Sequence, residues 1–197
     1  MIFNPYWLNI NDMLPEISLN ILDIANNSIR AGANLIEIVI RIHKVTNRLL
    51  LIITDNGSGM SKDILANVED PFFTSRTTRS IGLGIPFLKS AALTTGGSFH
   101  IESEPGLGSK ISAEFVISHI DCMPLGDISS TIHALIISNT QIDFIYTYEL
   151  DDKSFQLDTR QFRNILGAIP LDVPEVSAYI MEYLKENHKM VNGDFHI

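Results

Sequence analysis

The sequence predicts an α/β chain of the α+β two-layer type, in which a mixed β-sheet is covered by helices. Two observations predict it: apolar, β-branched segments of strand length come in pairs, and segments with helical periodicity alternate with those pairs. The order is helix, strand, strand, helix, strand, strand, which fits a mixed sheet better than a doubly wound parallel sheet. Further elements after about residue 120 predict a small C-terminal α/β extension.

The first predicted elements are a helix and two strands. Glu16 to Arg30 is helical in pattern, since its polar positions recur at steps of four, three and four: Glu16, Asn20, Asp23 and Asn27. The segment Leu35 to Ile42 is predicted as a strand because of its β-branched composition. Leu49 to Ile53 is a continuous apolar run between turn residues, which predicts a strand buried on both faces.

The middle of the chain predicts a loop, a helix and a hairpin. Residues 69 to 80 mix Pro, Thr, Ser and Arg without periodicity, which is typical of a loop. Gly82 to Thr95 follows as a helix. Ser98 to Ser103 and Lys110 to Ile117 are then predicted as strands, and the turn residues between them join the two strands into a hairpin.

The composition of the chain changes after residue 120, where Cys, Met, Pro and Gly interrupt the pattern. We therefore predict two domains, residues 1–120 and residues 121–197. In the second, helices are expected at 128–137, 159–166 and 174–186, and strands at 142–150 and 154–157.

Composition narrows the classes of partner. The net charge of −9 disfavours nucleic acid, because no Lys/Arg patch offsets the repulsion from phosphates. No apolar run approaches the roughly 20 residues of a membrane span. The single cysteine and the absence of a secretory signal pattern predict a cytoplasmic location.

Short polar side chains on the first helix form the first candidate site. Asp23 and Asn27 are four residues apart, so they lie on one helix face. A solvated helix face explains this stripe equally well when it is considered alone. However, short carboxylate and amide oxygens suit a hydrated Mg²⁺ or an oriented water, whereas ordinary solvated faces carry longer charged side chains.

Two glycine-containing segments add to this site. Asp55 to Met60 directly follows a predicted buried strand, which is where open sheets tend to bind ligands. Gly82 to Gly84 opens a predicted helix, and Arg76 and Arg79 precede it, a combination that suits phosphate. Gly106 to Ser109 is ordinary as a hairpin turn. Each segment alone is a weak signal.

Taken in order, these segments resemble the motif blocks of the GHKL family, the ATP-binding fold shared by histidine kinases, DNA gyrase and MutL. The resemblance covers residues 14 to 117 and rests on five blocks: Asp23 to Ala33 (N box), Asp55 to Gly59 (G1 box), Asp70 to Phe73 (F box), Gly82 to Gly84 (G2 box) and Gly106 to Ser109.

The resemblance implies that the chain binds ATP and Mg²⁺. It makes Asn27 the ligand of Mg²⁺ and Asp55 the acceptor for the adenine amino group. The other residues that it assigns to the nucleotide are Gly57 and Gly59 at the base, Gly82 and Gly84 at the phosphates, Arg76 and Arg79 on a mobile lid, and Ser109 beside the adenine.

Two departures from the family pattern bear on activity. Asp23 stands where the ATPases of this family usually carry Glu, the base that activates the attacking water or hydroxyl. Asp is one methylene shorter, and a displacement of about 1 Å can cost on the order of 100-fold in rate. In addition, no histidine precedes the N box, so the acceptor of an ordinary histidine kinase is missing from the usual position: the six lie at 43, 100, 119, 133, 188 and 196.

The leading hypothesis is a histidine-kinase-like protein that uses MgATP to phosphorylate or regulate a separate protein, with Asp23 as the catalytic residue. The alternative is a non-catalytic module, in which nucleotide orders the lid at residues 69–81 and thereby controls docking. A third hypothesis gives partner binding to residues 121–197, which could equally be structural padding on the sheet. A homodimer is left open.

Overall fold

The computed structural model describes residues 16–69, 84–193 and 195. These residues form one six-stranded sheet with helices against it. The elements are α1 (Ile17–Arg30), β1 (Leu35–His43), β2 (Arg48–Asp55), α2 (Lys62–Asn67), α3 (Gly84–Thr94), β3 (Ser98–Glu104), β4 (Gly108–Val116), α4 (Ile128–Ser138), β5 (Asp143–Leu150), β6 (Lys153–Asp158), α5 (Thr159–Leu166) and α6 (Pro174–Asn192).

The strand order is β3-β4-β2-β1-β5-β6. Three antiparallel hairpins are formed, by β1 and β2, by β3 and β4, and by β5 and β6. In addition, β2 pairs antiparallel with β4, whereas β1 and β5 run parallel. The prediction of a mixed sheet covered by helices is confirmed. Strand β5 lies along β1 from the Leu35–Asp143 pair to the Ile42–Leu150 pair, so the extension continues the same sheet. The division at residue 120 stays a prediction.

One face of the sheet carries the core. Ile36, Ile38 and Ile40 of β1 are buried at alternate positions, as a strand with one covered face requires. In β2, however, Leu50 and Ile52 are partly exposed. The prediction that this strand is buried on both faces is wrong, because helices α1, α3, α4 and α6 pack together in one layer.

Helix α1 begins against the C-terminal part of the chain. The N–H groups of Ile17 and Ser18 donate to the carbonyls of Pro124 and Leu125, at 3.0 Å each. These contacts satisfy two of the N–H groups that the first turn of a helix leaves without partners. The predicted start of the helix at Glu16 is its N-cap residue. The extension therefore contributes the N-terminal cap of the helix that carries Asp23.

Most predicted elements are present, with shifted ends. Helix α6 continues to Asn192, six residues beyond its predicted end. Helix α2 was missed because six residues are too few to show a helical period, although Ser61 caps it by accepting from the Ile64 N–H. The predicted loop lies outside the described residues apart from Glu69. No helix in the part of the chain that the structure describes has the length and apolarity to cross a membrane.

Candidate functional site

Four segments converge at one end of the sheet: the second half of α1, the end of β2, the start of α3 and the turn between β3 and β4. Ser28 of α1 bonds to Asp55 at the end of β2. A Cβ atom built on Gly84, the first residue of α3, would lie 3.1 Å from the Cβ of Asp23. In the sheet register Asp55 stands opposite Ser109 of β4. The described candidate residues therefore belong to one site.

The Asp55 carboxylate is held by a donor on each oxygen. The Ser28 hydroxyl donates to Oδ2 at 2.7 Å, and the Gly57 N–H donates to Oδ1 at 2.9 Å. Ser28 is buried, with 4% of its surface exposed, while Asp55 is only partly buried. The carboxylate is thus fixed in orientation, and each oxygen keeps a lone pair for a further donor.

Sequence reasoning missed Ser28. It follows Asn27 directly, but it lies on the buried side of α1 rather than on the polar stripe. A buried serine that bonds to a carboxylate 27 residues later in the chain positions that carboxylate. The available signal was a hydroxyl on an otherwise apolar face of the helix.

The side chain of Asn56 holds the turn that follows β2 in place. Its Oδ1 accepts from the N–H groups of Asn34 and Leu35 at 3.0 Å each, and its Nδ2 donates to Asn34 Oδ1 at 2.6 Å. All polar atoms of the Asn56 side chain are therefore engaged with the start of β1. This residue fixes the position of the neighbouring Asp55.

Asp23 and Asn27 lie on the accessible side of α1. Asp23 is exposed and has no hydrogen-bond or ion-pair partner among residues 16–69 and 84–193. Asn27 is partly exposed, and its Oδ1 accepts from Arg30 Nη1 at 3.0 Å. Sequence reasoning also missed Arg30, which places a cation within hydrogen-bond distance of the oxygen that the family resemblance gives to Mg²⁺.

The glycines of the site make close contacts that exclude side chains. Gly84 faces Asp23, so a larger residue at position 84 would crowd the carboxylate. Gly59 has a φ of +63°, and a Cβ there would overlap the carbonyl oxygen of Glu104. The backbone at the β3–β4 turn therefore lies too close to position 59 for any residue other than glycine, and this requirement does not depend on a ligand. A Cβ on Gly57 would lie 3.0 Å from Ala31 Cβ.

Hydroxyl groups connect the β3–β4 hairpin to the site. The Met60 N–H donates to Ser103 Oγ at 2.8 Å, and Ser103 Oγ in turn donates to the Gly108 carbonyl at 2.8 Å. Ser109 Oγ lies 2.9 Å from Ser103 Oγ. Because the Ser103 proton is used on Gly108, Ser109 is the donor in that pair. Its oxygen remains free to accept beside Asp55.

Some of the predicted site residues lie outside the part of the chain that the structure describes. It places Asp23, Asn27, Asp55, Gly57, Gly59, Gly84 and Ser109 together. Arg76, Arg79, Gly82 and the segment at 70–73 lie outside the described residues. Within the described ranges, no three His, Cys, Asp or Glu side chains are grouped so as to hold a metal ion.

Comparison with known families identifies the family of the domain that carries this site. Residues 14–119 match the model of the histidine kinase-, DNA gyrase B- and HSP90-like ATPase family. The chain belongs to this ATPase family. The match spans the converging segments above, and it confirms the resemblance carried by the five motif blocks.

Curated relatives of this ATPase domain include sensor and sporulation kinases. The chain is 31% identical over 98 residues to sporulation kinase D of Bacillus subtilis, covering 50% of this chain and 19% of that protein. It is 32% identical over 94 residues to the sensor-like histidine kinase SenX3 of Mycolicibacterium smegmatis, covering 45% and 24%. The matched stretch is thus a quarter or less of these relatives.

Solved structures share the fold more widely than the sequence. The N-terminal domain of a DNA repair protein superposes with a TM-score of 0.55 at 13% identity, over 80% of this chain and 59% of that one. At this identity the likeness shows the fold alone. Because the superposition exceeds the family match, it includes part of the extension as well as the ATPase domain.

Proposed function

We propose that this chain binds MgATP at the site formed by α1, β2 and α3, and uses it to phosphorylate or regulate a separate protein. The observation that carries the proposal is the Asp55 carboxylate. It lies at the end of a strand, partly exposed, with both oxygens oriented by Ser28 and Gly57. Such a fixed acceptor suits the amino group of adenine.

The base end of the site is formed by β2 and β4. Asp55 accepts from the adenine amino group, and Ser109, opposite it in the register, offers a hydroxyl oxygen beside it. A fixed carboxylate discriminates strongly between nucleotide bases. A base that presents a hydrogen-bond acceptor at this position leaves the carboxylate without a donor. Guanine carries a carbonyl where adenine carries its amino group, so we expect ATP to be preferred over GTP.

The phosphate end of the site is formed by α1 and α3. Asn27 offers an amide oxygen, which is a ligand type that Mg²⁺ accepts alongside phosphate oxygens and waters. Its partial exposure and its present partner, an arginine, fit an oxygen that can exchange one cation for another. When bound, Mg²⁺ neutralises phosphate charge. Gly84 keeps the space beside Asp23 clear, and we assign Gly82, Arg76 and Arg79 to the phosphates from the family pattern.

Asp23 is the proposed base. It is exposed, one helical turn from Asn27, and without a partner among residues 16–69 and 84–193. A carboxylate in this state can accept a proton from a water or a protein hydroxyl near the terminal phosphate. The protein that receives the phosphate is a separate chain in this proposal, and we place the reaction in the cytoplasm.

Calorimetric titration with a non-hydrolysable ATP analogue and Mg²⁺ tests the site. We expect saturable binding by the wild type, weakening of about 100-fold or more in Asp55→Asn, and loss of the Mg²⁺ dependence in Asn27→Ala. Asp152→Asn, an exposed turn aspartate, is the matched control for charge. Failure of the folded wild type to bind would refute the proposal.

A non-catalytic, nucleotide-gated module is the second candidate, because Asp23 is shorter than the usual glutamate. Turnover assays on wild type and Asp23→Asn separate the two. An enzyme loses turnover in the variant while it keeps its affinity for the ATP analogue. A module shows no turnover in either protein, but its analogue affinity is the same in both.

A further inference from the structure

A groove of about 450 Å³ lies between α5 and α6, beside the edge strand β6 and away from the α1–β2–α3 site. This volume is within the range of about 300–1,000 Å³ that is common for ligand pockets. The walls are mainly apolar and come from both helices: Phe162, Ile165, Leu166, Val176, Tyr179 and Tyr183.

The aromatic residues of the groove hold one another in place. The Phe162 ring packs edge-on against Tyr183 at a centroid distance of 5.9 Å, and it is tilted against the Tyr179 ring at 6.1 Å. By contrast, the surface of Ile165 is 85% exposed and that of Tyr179 is 58% exposed. The groove therefore has a packed floor and an open, apolar rim, which is the arrangement of a surface that binds a partner.

The rim on the α6 side is acidic. Glu175, Glu182 and Glu186 follow one another at steps of seven and four, so they share one stripe of the helix with Tyr179. All three are exposed, and none takes part in an ion pair within the described ranges. Asp158, at the floor, is already neutralised by Arg160 at 2.7 Å. Lys189, three residues after Glu186, is exposed beside the same stripe, so three carboxylates and one ammonium group leave the rim with a net negative charge.

The geometry favours a helix over a strand as the occupant. A strand would have to add to the free edge of β6, but the Gln156 carbonyl of that strand already accepts from the Tyr183 hydroxyl at 3.2 Å. In addition, α5 begins directly after β6, at Thr159, and shortens the free edge. Two neighbouring helices instead offer a cleft into which the apolar side of a third helix fits.

We infer that the α5–α6 groove binds a basic amphipathic helix of a partner protein. Its apolar side chains enter between Ile165 and Tyr179, and its Lys and Arg residues lie along Glu182 and Glu186. This surface is independent of the nucleotide site, so the inference stands whether or not the chain turns over ATP.

Fluorescence anisotropy with a labelled Leu/Lys peptide helix of about five turns tests this inference on the full chain. We expect saturable binding that weakens about tenfold in the double variant Ile165→Ser/Tyr179→Ser. The matched control is Val45→Ser/Ile120→Ser, which removes two apolar side chains of 96% and 95% exposure elsewhere and should leave the affinity unchanged.

The charge contribution has its own pair of variants. Glu182→Gln/Glu186→Gln should weaken binding about threefold at about 50 mM salt and have no effect at about 500 mM, whereas Asp63→Asn/Asp152→Asn should have no effect at either. Equal affinity in the groove and control variants would overturn the inference, as would equal binding of a Leu/Glu peptide.

Other occupants would also show in these experiments. If sedimentation showed wild-type dimers that Ile165→Ser/Tyr179→Ser converts to monomers, a second copy would be the occupant and the inference would be wrong. If removal of residues 1–15 strengthened peptide binding about tenfold, the N-terminal segment of the chain itself would occupy the groove, which would also overturn it.

Discussion

Two polar side chains, His188 beside β5 and Asp55 at the end of β2, differ in how fully their hydrogen-bonding capacity is used. His188, which packs against β5, is 7% exposed, and its two ring nitrogens each lie 2.8 Å from a hydroxyl, those of Ser129 and Tyr146. Asp55, at the end of β2, also has two partners, but it is partly exposed and its oxygens keep unused lone pairs.

This difference separates a structural network from a candidate binding site. Around His188 every hydrogen-bonding nitrogen of the ring is already used, and rings of Tyr148 and Phe155 close over it with centroid distances of 4.8 Å. Burial lowers the pKa of His188 to about 4, so the ring is neutral at pH 7 and a poor base. A positioned but unsaturated group, such as Asp55, is the one that can bind a ligand.

The largest expected effect comes from removing the extension. A chain of residues 1–120 would lose the pairing of β1 with β5 and the N-terminal cap of α1. We expect this loss to exceed the total stability of about 5–15 kcal/mol that is typical of a domain. Urea unfolding followed by circular dichroism tests it. A cooperative transition together with retained binding of the ATP analogue would show that the predicted domain folds alone.

The next largest effect is expected for His188→Leu, which leaves the buried hydroxyls of Ser129 and Tyr146 without their partner. At about 1–3 kcal/mol for each unsatisfied group, we expect a loss of about 3–4 kcal/mol in the free energy of unfolding. His100→Leu, on the exposed side of β3, is the control and should change it by less than about 0.5 kcal/mol. Equal losses would mean that the network contributes nothing.

The pH dependence of stability also tests whether His188 has a structural role. The unfolded chain protonates His188 near pH 6.5, whereas the folded chain does so only near pH 4, so acidification through this window favours unfolding. The contribution of His188 is complete above pH 6.5 and is lost as the pH falls to about 4. It amounts to about 3 kcal/mol. Denaturant midpoints across this window should fall more steeply for the wild type than for His188→Leu.

The smallest effect is expected at the nucleotide end. Ser28→Ala should weaken binding of the ATP analogue about tenfold, because Asp55 loses one of the two donors that orient it. Ser18→Ala is the matched control, since Ser18 is also buried on α1 but bonds to Glu16. A similar loss of affinity in both variants would assign the effect to the helix as a whole.

The sequence was sufficient for elements with a clear period or turn chemistry. Helix α5 was predicted with its observed bounds, since Asp158 caps it by accepting from the Arg160 N–H and Gly167 follows it. The exposure of Leu50 could not be predicted, because an apolar run of strand length looks the same whether one or both faces are covered.

Tertiary contacts determine the features of the site that the sequence could not predict. The family resemblance selects Asp55 and Asn27 as candidates, but the contacts of their neighbours depend on pairings that no local pattern contains. Ser28 donates a hydrogen bond to a carboxylate 27 residues later in the chain. The hydrogen bond from Arg30 to Asn27 depends on the conformation of the arginine side chain. Likewise, the carbonyls that cap α1 come from a segment more than 100 residues later.

That late cap has a consequence for the order in which the protein folds. Asn20, in the first turns of α1, contacts Met123, 103 residues further along the chain. During synthesis the chain grows from its N-terminus, so α1 is made long before its cap and the strand β5 that flanks β1. We therefore expect the nucleotide site to be completed only after the extension has left the ribosome as far as the end of β5, and folding to be slow for a chain of this length.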